Sequence, residues 1–270
     1  MKLFSKIKNR LFLFLIKIFK TNETIFVNYD NFLNLAENLE VLTSKSDIFE
    51  NIKIPSNKKR YQLMASLIGT PPTEAYFIIK AIHQTQNVDG DICEFGVAQG
   101  STSALIANEI LGFSNKKLNL FDSFEGLPEP TKEDKLINDI FNYGEISKYK
   151  GSMRSPKDLV LSKLNTLKIP KSKYKIFEGF VDDDFNLRKD LPKKVCFAYL
   201  DFDFYKPIKI VLKYLQNHLS KGGFIIVDDY NYFSSGVKSA VDEFLKNNPI
   251  FDIFIAPTNF GHFIILKKKK

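Results

Sequence analysis

The chain has 270 residues, 44% hydrophobic and 26% charged, which suits one large α/β domain with an appendage. Its net charge of +8 sits at the ends: Lys2, Lys6, Lys8, Arg10, Lys17 and Lys20 with no acid before residue 21, then Lys267 to Lys270, so that +8 less those ten leaves −2 for the rest. That balance excludes a basic nucleic-acid-binding body, and two cysteines, Cys93 and Cys196, exclude a disulfide framework or a zinc pattern.

Residues 1–20 read as a basic amphipathic helix, with Lys2, Lys6, Arg10, Lys17 and Lys20 within one arc of about 100° and Leu3, Phe4, Ile7, Leu11, Phe14, Leu15 and Ile18 opposite. The segment is too short to span a bilayer, which takes about 20 apolar residues, and lacks a small-residue cleavage site. Two readings stay open: an in-plane anchor on an anionic inner membrane leaflet, or a helix packed on the body or on a second subunit. Residues 21–60 read as mixed linker and helix, so residues 1–60 form an extension and 61–270 the main domain. Both cysteines fall in predicted buried strands, and a reducing cytoplasm is the expected compartment.

From residue 61 strands and helices alternate. Pro71-Pro72-Thr73-Glu74 starts a helix, with Thr and Glu in its first turn. Strands are expected at Asp91–Val97, Leu118–Phe121, Tyr174–Phe177, Val195–Leu200 and Gly222–Val227. Helices are expected at Ser101–Leu111, Pro156–Leu167, Pro207–Leu219 and Gly236–Lys246. Phe251–Ala256 and His262–Lys267 read as a closing hairpin. This alternation predicts a mostly parallel sheet with helices on both faces and an antiparallel edge. Residues 128–172 form an insertion whose first part, 128–150, is long for a structureless connection and is expected to be a lid over the cofactor.

Two strands end in acids: Asp201-Phe202-Asp203 after Val195–Leu200, and Asp228-Asp229 after Gly222–Val227. Ligands of open α/β sheets bind outside the carboxyl ends of the strands. Carboxylates gathered there repel unless a cation neutralises them, which points to a divalent metal. Asp203 lies two residues beyond Asp201, so both are expected on the same side of a strand. Between the first strand and helix lies Glu94-Phe95-Gly96-Val97-Ala98-Gln99-Gly100-Ser101, neither a Gly-x-Gly-x-x-Gly turn nor a P-loop. An acid before the first glycine suits a ligand with a positive group, such as S-adenosylmethionine, and Asp122 can accept ribose hydroxyls. His83, His218 and His262 lie away from these motifs, so histidine chemistry is not expected.

Glu94-x-Gly-x-x-x-Gly, then Phe121-Asp122-Ser123-Phe124-Glu125-Gly126-Leu127-Pro128, then Leu200-Asp201-x-Asp203-x-Tyr205, then Gly222-Gly223 leading into Asp228-Asp229-Tyr230 resemble the macrocin O-methyltransferase (TylF/MycF) family of class I S-adenosylmethionine-dependent methyltransferases. The resemblance covers roughly residues 60–267. It implies a Rossmann-like seven-stranded sheet and methylation of a sugar hydroxyl with S-adenosylmethionine and Mg²⁺. It implies Asp201, Asp228 and Asp229 as metal ligands and Asp203 as general base. Glu94, Gly96, Gly100, Ser101, Asp122, Ser123 and Asp201 would hold the cofactor, with Phe180 near the adenine. The family's Trp-Arg in the glycine turn is Ala98-Gln99 here, and its Asp-Thr after the third strand is Asp183-Asp184. The implied acceptor is a glycan, a nucleotide sugar or a glycosylated natural product, and a homo-oligomer is an open expectation. The alternative is a metal-dependent glycosyltransferase using Asp201-Phe202-Asp203 as its Asp-x-Asp.

Overall fold

The computed structural model describes residues 48–50, 52–257 and 261–269. The expected helix at residues 1–20, and most of the extension, lie outside them. The elements run α1 Lys58–Ala65, α2 Pro72–Gln84, β1 Asp91–Phe95, α3 Ser101–Ile110, β2 Leu118–Asp122, α4 Lys157–Thr166, β3 Tyr174–Glu178, β4 Val195–Leu200, α5 Tyr205–His218, β5 Leu219–Val227, α6 Ser235–Asn247, β6 Phe251–Ile255 and β7 Ile264–Lys268. The sheet has seven strands in the order β3-β2-β1-β4-β5-β7-β6. The first five pair in parallel; β7 is antiparallel to β5 and β6. The class I methyltransferase architecture with its antiparallel closing hairpin is therefore present.

β1 and β4 are buried on both faces because helices cover both, and only Glu94 of β1 breaks their otherwise apolar interior. Cys93, Phe95, Ala198, Leu200, Ile225 and Val227 point into one core with α5 and α6. Phe95, Phe121 and Phe177 stack across β1, β2 and β3 at centroid distances of 4.5 and 4.4 Å. Each such pair contributes about 0.5–1.5 kcal/mol beyond its buried area. Successive residues of a strand alternate faces. Glu94 and Tyr199, adjacent in register, therefore leave the sheet on the opposite side.

The strand ends differ from expectation for local reasons. β1 stops at Phe95 because Gly96 turns to φ +89°, where a side chain's Cβ would stand 1.8 Å from the Asp201 carbonyl oxygen. Only glycine permits that approach. α5 starts at Tyr205, ahead of Pro207, because Asp134 accepts the Tyr205 amide at 2.8 Å.

The insertion is not structureless. Asp134 also accepts from the Thr131 amide and hydroxyl at 2.7 and 2.8 Å. Ile137 donates its amide to Phe233 at 3.0 Å. Tyr149 is fully buried with Leu127, Phe204 and Phe233.

Candidate active site

The strand order reverses direction between β1 and β4, and there the segments that follow the two strands touch. Asp201 donates its amide to Phe95 at 2.7 Å, and Gly96 lies against the Asp201 carbonyl. A crevice at such a switch point is where open sheets hold ligands. A cavity of about 570 Å³ opens there. Gly96, Asp122, Ser123 and Phe180 line one side of it, Asp201, Asp203, Asp228 and Asp229 another. Ile140, Phe141, Arg154 and Tyr232 also reach it. The insertion thus contributes its tip to the wall.

On the glycine-turn side the acids are engaged. One Asp122 oxygen accepts the Val97 and Ala98 amides at 2.7 and 2.8 Å, and the other accepts Phe124 at 2.6 Å. Asp122 therefore staples the turn to β2 while presenting its remaining lone pairs to the cavity. Ser123 accepts the Glu125 amide at 3.1 Å. Glu94, Gly100 and Ser101 are not among the described lining residues. Ser101 accepts from Lys163 at 2.8 Å, and Gly100, at φ +76°, forms the amino-terminal cap of α3. Glu94 is buried below the turn with neither oxygen hydrogen-bonded. Burial pushes its carboxyl up to about 8, only partly offset by the Ser103 hydroxyl, which lies near without hydrogen-bonding to it.

On the β4–β5 side the acids face one another. The reason differs from period-two alternation. β4 ends at Leu200, and Asp203 lies at φ +60° in the left-handed region, as does Asp229 at φ +53°. Such backbone costs about 1–3 kcal/mol per residue and persists where surrounding structure imposes it. Ser234 helps impose it by donating to the Asp203 carbonyl at 2.7 Å. Asp203 thus reaches the other acids through a turn, not along a strand face.

Burial raises the whole set, and neighbouring carboxylates add to it at Asp201, Asp203 and Asp229. Asp201 stands well above the usual carboxylate range through burial, then Asp228 and Asp229. Asp229 is pushed up to about 10 by burial, then Asp228 and Asp203. Asp203 is pushed up to about 8 by burial, then Asp201, against a hydrogen bond with Asp229. Burial also raises Asp228, against the pull of the Glu74 carboxyl, then the Asp229 amide donating at 2.8 Å and the Tyr199 hydroxyl donating at 3.2 Å.

Sequence reasoning missed three groups here. Tyr199 was hidden in an apolar run, although a tyrosine two residues before Asp201 was the available signal. Glu74, from α2, joins the acids and is treated below. His262, expected to lie away from every motif, stacks on Tyr232 at 3.9 Å and lies near Asp228, while burial disfavours its charged form. It precedes β7, whose pairing with β5 brings it near Asp228.

Among the described residues no three Asp, Glu, His or Cys side chains are already drawn up around a metal position. The donor set nonetheless fits a hard cation. It consists of carboxylate oxygens, they raise one another's proton affinity, and no N–H or hydroxyl donates to the Glu74 oxygens beside them.

A family model described as macrocin-O-methyltransferase (TylF) matches residues 21–260. The match starts well upstream of the motifs that carry the resemblance. Of curated proteins, 8-demethyl-8-(2,3-dimethoxy-alpha-L-rhamnosyl)-tetracenomycin-C 4'-O-methyltransferase from Streptomyces olivaceus is 26% identical over 145 residues, 53% of this chain and 54% of that protein. The match thus spans about half the length of that relative. Among solved structures, the O-methyltransferase NovP superposes with a TM-score of 0.63 at 17% identity, covering 89% of this chain and 100% of that one. The calicheamicin methyltransferase CalS11 gives 0.59 at 20% identity, covering 87% and 91%. These two likenesses are of fold. The glycosyltransferase alternative finds no support in them. The family match over most of its length, on the sheet that carries its motifs, makes this chain a member of the macrocin O-methyltransferase family.

Proposed function

We propose that the protein is an S-adenosylmethionine- and Mg²⁺-dependent O-methyltransferase acting on a sugar hydroxyl of a glycan, nucleotide sugar or glycosylated natural product. The observation that carries this reading is the meeting of two unlike walls on one cavity: the glycine turn with Asp122, and the acids Asp201, Asp203, Asp228 and Asp229, which no lysine or arginine among the described residues pairs. The first wall suits a nucleoside-containing methyl donor, held by Gly96, Asp122 and Ser123, with Phe180 against its base. Glu94, below the turn, suits the donor's ammonium group.

Asp203 takes the proton of the acceptor hydroxyl as the new oxygen–carbon bond forms and the carbon–sulfur bond breaks. A carboxyl at about 8 in the absence of a cation is near the working range of a general base. Positive charge nearby shifts it toward its ionised form. Asp201, Asp228 and Asp229 would hold Mg²⁺, which when bound supplies Lewis acidity to the hydroxyl oxygen. Phe141 and Tyr232 offer flat apolar faces for a sugar ring. Arg154 offers a guanidinium for a phosphate or carboxylate. The relative that methylates a rhamnosyl group supports a sugar acceptor.

The reading extends to a cytoplasmic enzyme whose basic residues 1–20 touch an anionic membrane or a second subunit. No helix among the described residues is long and apolar enough to cross a membrane.

Methyl-labelled S-adenosylmethionine incubated with the protein and a panel of nucleotide sugars and glycan precursors tests the proposal. Label is expected in a sugar product, lost with a chelator and restored by Mg²⁺. Undiminished transfer in chelator removes the metal from the reading; binding of the donor to none of the walls, measured by calorimetry, removes the enzyme.

A further inference from the structure

Glu74 sits in the first turn of α2, after Pro71 and Pro72. An acid there ordinarily faces water and complements the helix dipole. This one does not. Its residue is 0% exposed, no N–H or hydroxyl donates to its carboxyl, and the polar group set against it is another carboxyl, that of Asp228. α2 is held at that depth by Ala75 and Ile79, which pack on Leu105 of α3. The depth brings the Glu74 carboxyl against Asp228, with Asp201 and Asp229 next in influence. Two carboxylates can only accept from each other, so while both are charged no bond joins them. No cationic side chain figures among the groups acting on Glu74. Burial of two such charges is costly, so without a cation the pair keeps a proton between the two carboxyls.

We propose that Glu74 is a fourth carboxylate of the divalent-cation site, standing behind Asp228 and adding its charge to those of Asp201, Asp228 and Asp229. The inference rests on the metal-dependent reading above. It gives an otherwise unpaired group its counterion and assigns α2, which carries none of the sequence motifs, a part in the site. Glu74 does not line the cavity, so it contacts neither methyl donor nor acceptor. Its effect is confined to how tightly the cation is held. Charged partners set behind metal ligands typically alter metal affinity about 10–100-fold.

The test uses the full chain without methyl donor. Mn²⁺ uptake is followed by the loss of the free-ion electron paramagnetic resonance signal in wild type, Glu74→Gln and Glu74→Ala. S-adenosylhomocysteine affinity is measured in parallel as a check on the fold. Mn²⁺ affinity is expected to fall about 10–100-fold in both variants with S-adenosylhomocysteine affinity unchanged. Wild-type Mn²⁺ affinity in either folded variant overturns the role of Glu74 alone. A parallel loss of both affinities overturns it in favour of a structural role. No Mn²⁺ uptake by the wild type overturns the metal reading, and this proposal with it.

Discussion

Buried acids on the α1–α3 side of the molecule and buried acids at the β4–β5 tips meet opposite surroundings. Glu109 receives the Arg60 guanidinium through two bonds of 2.9 and 2.5 Å, and His83 at 2.9 Å. Asp134, in the insertion, is saturated by backbone and threonine donors. Asp201, Asp203, Asp228 and Asp229 face mostly carboxylates, with one tyrosine hydroxyl, one backbone amide and His262 beside them and no lysine or arginine among the described residues. Folding alone explains the first kind, since each buried donor there needs an acceptor. It does not explain the second kind, which costs stability and strained backbone. Acids whose partners are missing from the chain are the ones held for something outside it.

Removing a member of the unpaired group should therefore cost function and spare the fold. Asp203→Asn keeps the shape, the Ser234 bond to the backbone and the left-handed turn, which asparagine tolerates. Turnover is expected to drop about 10²–10⁴-fold, the usual worth of a general base. Affinity for S-adenosylhomocysteine and the thermal midpoint should stay near wild type. Single-turnover methyl transfer measures the first and calorimetry the second. Wild-type turnover in this variant would break the distinction, because an unpaired acid would then have no chemical role.

Removing a partner from the paired group should do the reverse. Arg60→Met preserves much of the side chain's volume but leaves Glu109 buried with only His83 and the Asn108 side-chain amide. Breaking a buried ion pair by taking one partner costs about 3–5 kcal/mol. Urea unfolding should record that loss. The cavity walls do not include Arg60 or Glu109, so cofactor affinity of the folded fraction should hold. A variant with unchanged stability would show that the α1–α3 triad is not what holds α1 in place.

The fold and the acids differed in how readily they could be read. Val195–Leu200 was legible to the residue, because a strand buried on both faces leaves a continuous apolar run. The glycine turn was legible because Gly96 and Gly100 are demanded by backbone approach and positive φ, not by packing. Asp201 and Asp228 were legible as acids closing such runs. Glu74 was not, since an acid in the first helical turn after proline is the commonest of helix starts. Its burial depends on how α2 docks, which is information from the other side of the sheet. His262 was hidden likewise, because β7 inserts between β5 and β6 and the sequence order does not announce that neighbour. The insertion was legible only as a long connection expected to be a lid, because what holds it, the Asp134–Tyr205 bond and the packing of Tyr149 on Phe204 and Phe233, has no periodic pattern in sequence.

Glu94 lies between the two groups, and its pH behaviour sharpens the boundary. It is buried like the paired acids yet unpartnered like the others. Burial lifts its folded carboxyl to about 8 from an ordinary value of 4.5. The folded chain thus keeps a proton that the unfolded chain gives up between those values. Stability contributed by this proton is fully present below about 4.5 and is lost as pH rises through about 8. One proton corresponds to a slope of at most about 1.4 kcal/mol per pH unit. In cofactor-free protein, Glu94→Gln, the neutral isostere of the protonated acid, should flatten the fall in unfolding free energy between pH 5.5 and 7.5 by about 1 kcal/mol per unit. Urea titrations across that range measure it, with Asp203→Asn as the comparison for the acids at the strand tips. An unchanged slope would mean that Glu94 stays charged when folded and has found a partner, which would move it into the paired group and leave the donor's ammonium without its acid.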